Sequence, residues 1–293
     1  MIGGVGQAGG LGEAGCAAAE YAPEWLELRE PADAAARAAD LVELLLPSLP
    51  RPPLVIRDLG CGTGSMGRWL AGRLPGPQRW ILHDRDPNLL MRAAVGLPGT
   101  ASDGADVTVA LQRGDITALR VGDLVGTSLV TASALLDVLT VEEAAGLAAT
   151  CAGARCPALL ALTVIGRVEL IPADPLDAEL AAAFDDHQRR PAGGGRRLLG
   201  PDAVAVMAAA FDRCGATVHR RFSPWLLGPG QSALITAWLQ GWVGAAVEQR
   251  PGLAAAADAY LCRRLAECAA GRLRVVVGHE DLLALAPSRA RRP

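Results

Sequence analysis

The chain has 293 residues, 51% of them apolar, enough for a large core in one α/β domain with insertions or in two small domains. Its 28 basic residues, all arginine, are interspersed with 31 acids for a formal charge of −3; no basic run suited to a phosphate backbone occurs, which argues against a nucleic-acid partner. The seven cysteines form no C-x-x-C pair and have no histidines at zinc-finger spacing, so no metal site is expected, and they read as free thiols in a reducing cytoplasm.

Residues 1–22 are rich in Gly and Ala without periodicity and read as a disordered tail. The first basic residue is Arg29, so the charged start of a signal peptide is missing. Residues 23–53 form a helical cap. Trp25, Leu26 and Leu28 are followed by a restart at Pro31, then by Ala35, Ala38, Ala39, Val42, Leu45 and Leu46 at helical spacing, and Pro47, Pro50, Pro52 and Pro53 end it. An apolar strand over 54–58 then meets Asp58 and a bend, Gly60-Cys61-Gly62-Thr63-Gly64, before a helix over 65–74. Strand, glycine bend and helix in this order make the first crossover of a parallel sheet, where such folds hold nucleotide-like ligands. Glycine permits positive φ and close approach of backbone N–H groups, and the helix N-terminus favours a negative group.

A second strand over 79–83 ends at Asp84-Arg85-Asp86-Pro87-Asn88, and a helix follows through Leu89, Leu90, Ala93 and Ala94. A third strand over 107–111 leads to Gly114-Asp115-Ile116, and a fourth over 128–132 leads to the segment from Ser133 to Asp137. A helix over 141–152 precedes a fifth strand over 158–165. Further on come a helix over 176–188, the loop Gly193-Gly194-Gly195, a helix over 202–214 between Pro201 and Gly215, and a sixth strand over 217–222. Two apolar helices over 232–249 and 253–270 precede the last strand, over 273–278. The longest uncharged stretch, 223–247, is broken at Gly228-Pro229-Gly230 and is too short for a bilayer span of ~20 helical residues, so no membrane partner is expected.

Three acids, Asp58, Asp84 and Asp115, thus close three successive strands. Asp84 follows the bend at about the ~20-residue spacing where a carboxylate takes two ribose hydroxyls, with Asp86 as a rival in the same loop. Asp58-Leu59-Gly60-Cys61-Gly62-Thr63-Gly64 resembles the first motif of the class I S-adenosylmethionine-dependent methyltransferases, Asp84-x-x-Pro87 the second and Gly114-Asp115-Ile116 the third. The resemblance covers 54–165 well and the remainder by topology. It implies a Rossmann-like, seven-stranded, mostly parallel sheet with helices on both faces, here with a helical insertion before the last strand. The methyltransferase domain would run over 54–293, with insertions at about 166–200 and 225–272.

The implied cofactor is S-adenosyl-L-methionine, held by Asp58, Gly60, Cys61, Gly62, Thr63, Gly64, Asp84, Arg85, Asp115, Ile116 and Ser133. Asp84 would take the ribose, Asp115 the adenine amine and Ile116 the adenine face. The leading helix would offer Arg29 or Arg37 to the cofactor carboxylate. The implied reaction is in-line methyl transfer to a small-molecule acceptor. The sequence lacks the Asn/Asp-Pro-Pro-aromatic motif of DNA amino-methylating enzymes after the fourth strand. Two alternatives stand beside it: an NAD(P)-dependent oxidoreductase, since Gly62 to Gly67 also fits G-x-G-x-x-G, and a non-catalytic S-adenosylmethionine-binding protein. The acid at Asp58 counts against a pyrophosphate there and is tolerable beside a sulfonium.

His187, in the insertion after the fifth strand, is the first candidate base, and Gln188, Arg189 and Arg190 beside it suit a polar or anionic acceptor. Asp137 and Glu169 are the alternatives. Trp225, Trp238 and Trp242 are candidates to wall an apolar acceptor pocket. Cys156, ahead of Pro157 at the start of a strand, and His83, on the second strand, read as structural; His219 and His279 carry no assignment.

Overall fold

The computed structural model describes residues 22–286. The tail expected over 1–22 lies, Ala22 apart, outside the described residues. Two helices lead, α1 (Pro23–Ala36) and α2 (Ala39–Leu45). The unit β1 (Leu54–Leu59), α3 (Ser65–Leu70), β2 (Gln78–Asp84), α4 (Pro87–Gly96), β3 (Val107–Arg113) follows, then β4 (Leu129–Ser133), α5 (Val141–Gly153) and β5 (Ala158–Ile171). The second half contains α6 (Asp177–Gln188), a small hairpin of β6 (Pro191–Ala192) and β7 (Arg196–Arg197), α7 (Ala203–Arg213), β8 (Thr217–Phe222) and β9 (Trp225–Leu227). It closes with α8 (Ser232–Gln249), α9 (Ala254–Ala269) and β10 (Arg274–Leu285).

The main sheet runs β3-β2-β1-β4-β5-β10-β8, with the short β9 also paired to β10. β1 to β5 are parallel, and β10 is antiparallel to both β5 and β8. Helices cover both faces, as expected, because successive strand residues point to opposite sides. On β5, Leu160 enters the core beneath α5 and α7, while Leu159 and Ala161 enter the core beneath α2 and α3. α6, α8 and α9 pack with β9 around a third core. The strand order reverses between β1 and β4, so the chain leaves their carboxyl ends in opposite directions and a crevice opens there. Among the described residues no helix is long and apolar enough to cross a membrane.

Two strands extend well past their expected ends. β5 continues to Ile171, and β10 continues from the expected stop at Gly278 through His279-Glu280-Asp281 to Leu285. The polar triplet looks like a strand end in sequence, yet His279 and Asp281 are buried. The Asp281 carboxylate accepts from Leu162 N–H (2.8 Å), Ala38 N–H (2.8 Å) and Ser223 O–H (2.6 Å), stitching β5, α2 and the loop after β8 together. Asp281→Ala leaves three donors unpaired, two of them buried, and urea denaturation is expected to show a loss of about 2–4 kcal/mol. A midpoint unchanged from wild type would remove Asp281 from that role.

Candidate functional site

β1 delivers Asp58 to the crevice, paired in register with Thr131 of β4 on one side and Leu82 of β2 on the other. The carboxyl is buried. One oxygen accepts from Thr131 Oγ1 at 2.7 Å, and the other, Oδ2, has no hydrogen-bond partner among the described residues. Burial pushes the acid up to about 7, with repulsion from Asp84 added, against the Thr131 bond and the attraction of Arg37 and Arg68.

The backbone then bends sharply. Gly60 and Gly62 have φ of 59° and 55°. A Cβ on Gly60 would meet Leu135 Cδ1 at 2.9 Å, and one on Gly62 would meet Leu26 Cδ1 at 3.3 Å, but it is the positive φ that makes both positions need glycine. Gly64, also left-handed, precedes α3. Asp84, at the end of β2, holds the bend from the side: its Oδ2 accepts Gly62 N–H at 2.9 Å and its Oδ1 accepts Asp86 N–H at 3.0 Å. Cys61 is buried between them and donates its N–H to His83 O at 3.1 Å, and burial pushes its thiol up, so it is no nucleophile. Thr63 is buried, and its carbonyl accepts from Arg68.

Arg37 reaches this bend from the end of α1. It is buried, and its Nη2 donates to Ser65 Oγ (3.0 Å) at the start of α3 and to Ser133 Oγ (3.1 Å) at the end of β4. Of the two arginines expected near a cofactor carboxylate, only Arg37 reaches the bend. Asp86, the rival to Asp84, caps α4 through Asn88 N–H at 2.7 Å. Asp115, more exposed, accepts from Thr117 N–H (2.9 Å) and O–H (2.8 Å), with Arg85 at 3.9 Å. Burial works against its ionisation, but the Thr117 bonds and Arg85 outweigh it and hold the acid below its ordinary value. Ile116 is half-buried against the core beneath α5.

Beside this crevice lies a cavity of about 220 Å³. The turn after β4 separates the two: Leu135 packs on Gly60, while Ala134 and Asp137 line the cavity. α1 roofs both, with Leu26 over Gly62 and Trp25 and Arg29 in the cavity wall. Phe184, Asp185 and Gln188 enter from α6 and Trp238 and Trp242 from α8, with Trp225 and His279 completing the wall. Trp238 and Trp242 stack at 5.1 Å. Arg29 lies 4.9 Å from the Trp225 ring and is held by both oxygens of Asp33, at 2.9 and 3.2 Å. Burial pushes Asp137 up and Asp185 up to about 6, while burial and Arg29 drive His279 down to about 3, so that it stays neutral.

Asp58, Asp84 and Ser133 therefore converge with Gly60 to Gly64 around one bend, and Arg85, Asp115 and Ile116 sit past the ends of the neighbouring strands. Of the candidate bases, only Asp137 lines the cavity. His187 sits at the end of α6 with Nε2 3.2 Å from the exposed Glu248 and Nδ1 3.1 Å from Arg190, outside the cavity wall. Glu169 is exposed on β5. The expected tryptophans are all present in the wall. Gln188, named beside His187, lines the cavity, and Arg29, named for the cofactor carboxylate, lies in its wall instead; sequence reasoning missed Trp25, one helical turn before Arg29 on α1, and Phe184, one turn before Gln188 on α6, and that spacing was the available signal.

The donor set suits a ligand bearing an ammonium, a carboxylate and hydroxyls. Asp58 has a free buried oxygen, and Arg37 stands at the start of α3. The bend leaves a cradle at Gly62, where a Cβ would find Leu26 as its sole neighbour within 4 Å among the described residues.

No family model matches the chain. Trans-aconitate 2-methyltransferase of Streptomyces avermitilis is 38% identical over 84 residues, 28% of this chain; the chain thus spans only 31% of that relative. The local match is to a methyltransferase, in agreement with the resemblance read from the motifs. Among solved structures, a mycolic acid cyclopropane synthase complexed with S-adenosylhomocysteine is 14% identical over 84% of this chain and 83% of its own, with a TM-score of 0.45. Phosphoethanolamine N-methyltransferase 2 of Haemonchus contortus is 13% identical over 92% of this chain and 59% of its own, with a TM-score of 0.44.

Proposed function

We propose that this chain is a class I S-adenosylmethionine-dependent methyltransferase acting on a small-molecule acceptor. The observation that carries this reading is the buried Asp58 oxygen without a partner, beside a glycine bend clamped by Asp84. When bound, S-adenosyl-L-methionine supplies an activated methyl group on a sulfonium. Asp58 receives the ammonium on its free oxygen. Arg37 and the first turn of α3 receive the carboxylate. Asp84 keeps spare lone pairs for the ribose hydroxyls, Asp115 for the adenine amine, and Ile116 packs on the ring. Leu26 and Leu135 pack on the bend, so a ligand entering there displaces them. A dinucleotide would place a pyrophosphate against Asp58, an unfavourable pairing, which argues against the oxidoreductase alternative. The neighbouring cavity argues against a non-catalytic role, because it offers an acceptor room beside the bend.

On this reading residues 23–53 are a helical cap on a methyltransferase domain of 54–293, and its setting is a reducing cytoplasm that suits the six free thiols among the described residues. Asp137 is the base where the acceptor must lose a proton, and His187 is peripheral. Titration calorimetry with S-adenosylhomocysteine is expected to show one site, with Asp84→Ala weakening it by about 1–3 kcal/mol through unpaired hydroxyls and a loosened bend. No heat of binding to the wild-type protein would overturn the assignment, and unchanged affinity in the variant would remove Asp84 from it.

A further inference from the structure

The cavity beside the bend is chemically lopsided. Its walls hold four tryptophans and Phe184 beside aliphatic residues of β5 and β10. Of its two arginines, Arg29 is already engaged by both oxygens of Asp33 and by the Trp225 face, and Arg167 lies over the Phe222 ring at 5.6 Å. What faces the cavity besides is mostly acceptor: the half-buried Asp185 carboxylate, for which no hydrogen bond to a protein donor occurs among the described residues, the Asp137 carboxylate, which takes only the N–H of its own residue there, and the Gln188 Oε1, which has no partner among them. Two buried nitrogens of the wall have no partner among the described residues: Trp242 Nε1–H, on a ring 2% exposed, and His279 Nδ1. His279, neutral, adds no charge.

Resting on the methyltransferase reading, we propose that this cavity selects an apolar or aromatic amine as acceptor, bound as its cation and carrying an oxygen that meets Trp242. An ammonium against tryptophan faces gains from the ring quadrupole, most strongly when desolvated, and the two carboxylates supply its counter-charge. A carboxylate-bearing acceptor of the same shape would meet Asp137 and Asp185 with like charge. The space, about 220 Å³, exceeds the ~150 Å³ cavity that accepts benzene and fits an arylethylamine. In the transfer, the ammonium gives one proton to Asp137. The freed lone pair forms the new nitrogen–carbon bond as the methyl–sulfur bond breaks with its electrons left on sulfur, and the nitrogen ends positive, still held by the rings.

Calorimetry with three probes of one shape tests this: tyramine, the alcohol 4-(2-hydroxyethyl)phenol, and 3-(4-hydroxyphenyl)propionate. Tyramine is expected to bind at least about tenfold tighter than the alcohol, the propionate weakest of all, and Asp185→Asn to shrink the preference for tyramine several-fold. Equal binding of amine and alcohol, or tighter binding of the propionate, would overturn the proposal. S-adenosylhomocysteine titrated into the same sample separates the two readings. Its binding without an amine preference sinks this proposal alone; an amine preference without its binding sinks the methyltransferase reading and leaves the cavity an amine site.

Discussion

Asp137→Asn is expected to lower methyl transfer to an amine acceptor by about 10²-fold or more while leaving the affinity for S-adenosylhomocysteine unchanged. The carboxyl lines the proposed acceptor cavity two residues past Leu135, which faces the glycine bend. Burial pushes its pKa up, which makes it a better proton acceptor than an ordinary aspartate. The amide keeps the shape and loses the basicity. His187→Ala, by contrast, is expected to leave turnover within about twofold, because that ring is engaged by Glu248 and Arg190 away from the cavity. Steady-state assays of both variants with the acceptor amine decide it; a large loss in His187→Ala with full activity in Asp137→Asn would reverse the two roles.

The affinity for S-adenosylhomocysteine is expected to rise with pH up to about 7 and to level off above it. Asp58 without ligand titrates at about 7, pushed up first by burial. Below that value it is neutral, and an ammonium arriving beside its free oxygen must displace a proton; above it the carboxylate is ready. The ligand therefore draws the pKa down, and each pH unit below 7 costs up to about tenfold in affinity. The linkage with folding has the opposite sign. A carboxyl whose folded pKa lies above its unfolded one stabilises the ligand-free protein most below the unfolded value near 3.8, and that contribution is lost as pH rises through about 7. Calorimetry near pH 6 in buffers of differing ionisation enthalpy should register close to one proton released per ligand. A pH-independent affinity between 5 and 8 would show that Asp58 does not face the ammonium.

How far the amino-acid sequence reaches can be seen in three places. The β1–bend–α3 unit was legible because everything that makes it is local: an apolar run, glycines where only positive φ closes the turn, and a helix start within a few residues. The convergence of Asp58 and Asp84 was legible for the same reason, since parallel strands joined by one helix end side by side. Asp115 at the β3 end followed from that topology too. The role of Asp84 as the acceptor for Gly62 N–H was not, because it depends on a register between β1 and β2 that spacing alone does not set.

Farther along the chain the local signal weakens. A polar triplet ends a strand unless its partners lie elsewhere, and those of Asp281 are 119 and 243 positions away, at Leu162 and Ala38. His187 lies outside the cavity wall for a similar reason. His187 and Asp185 share one helix, but two residues turn it by about 200°, so they face opposite ways. Which way α6 turns its apolar face was decided by its packing against β5 and α8. How the cavity is assembled belongs to the tertiary structure: Trp25 from α1, Asp137 from the turn after β4, Asp185 from α6 and Trp242 from α8 meet because α1, α6 and α8 close over the ends of β4 and β5. The sequence by itself determined the nucleotide-type bend and its acids and pointed to three tryptophans of the cavity wall; which side chains meet across the cavity was decided by long-range packing between segments that no local pattern links.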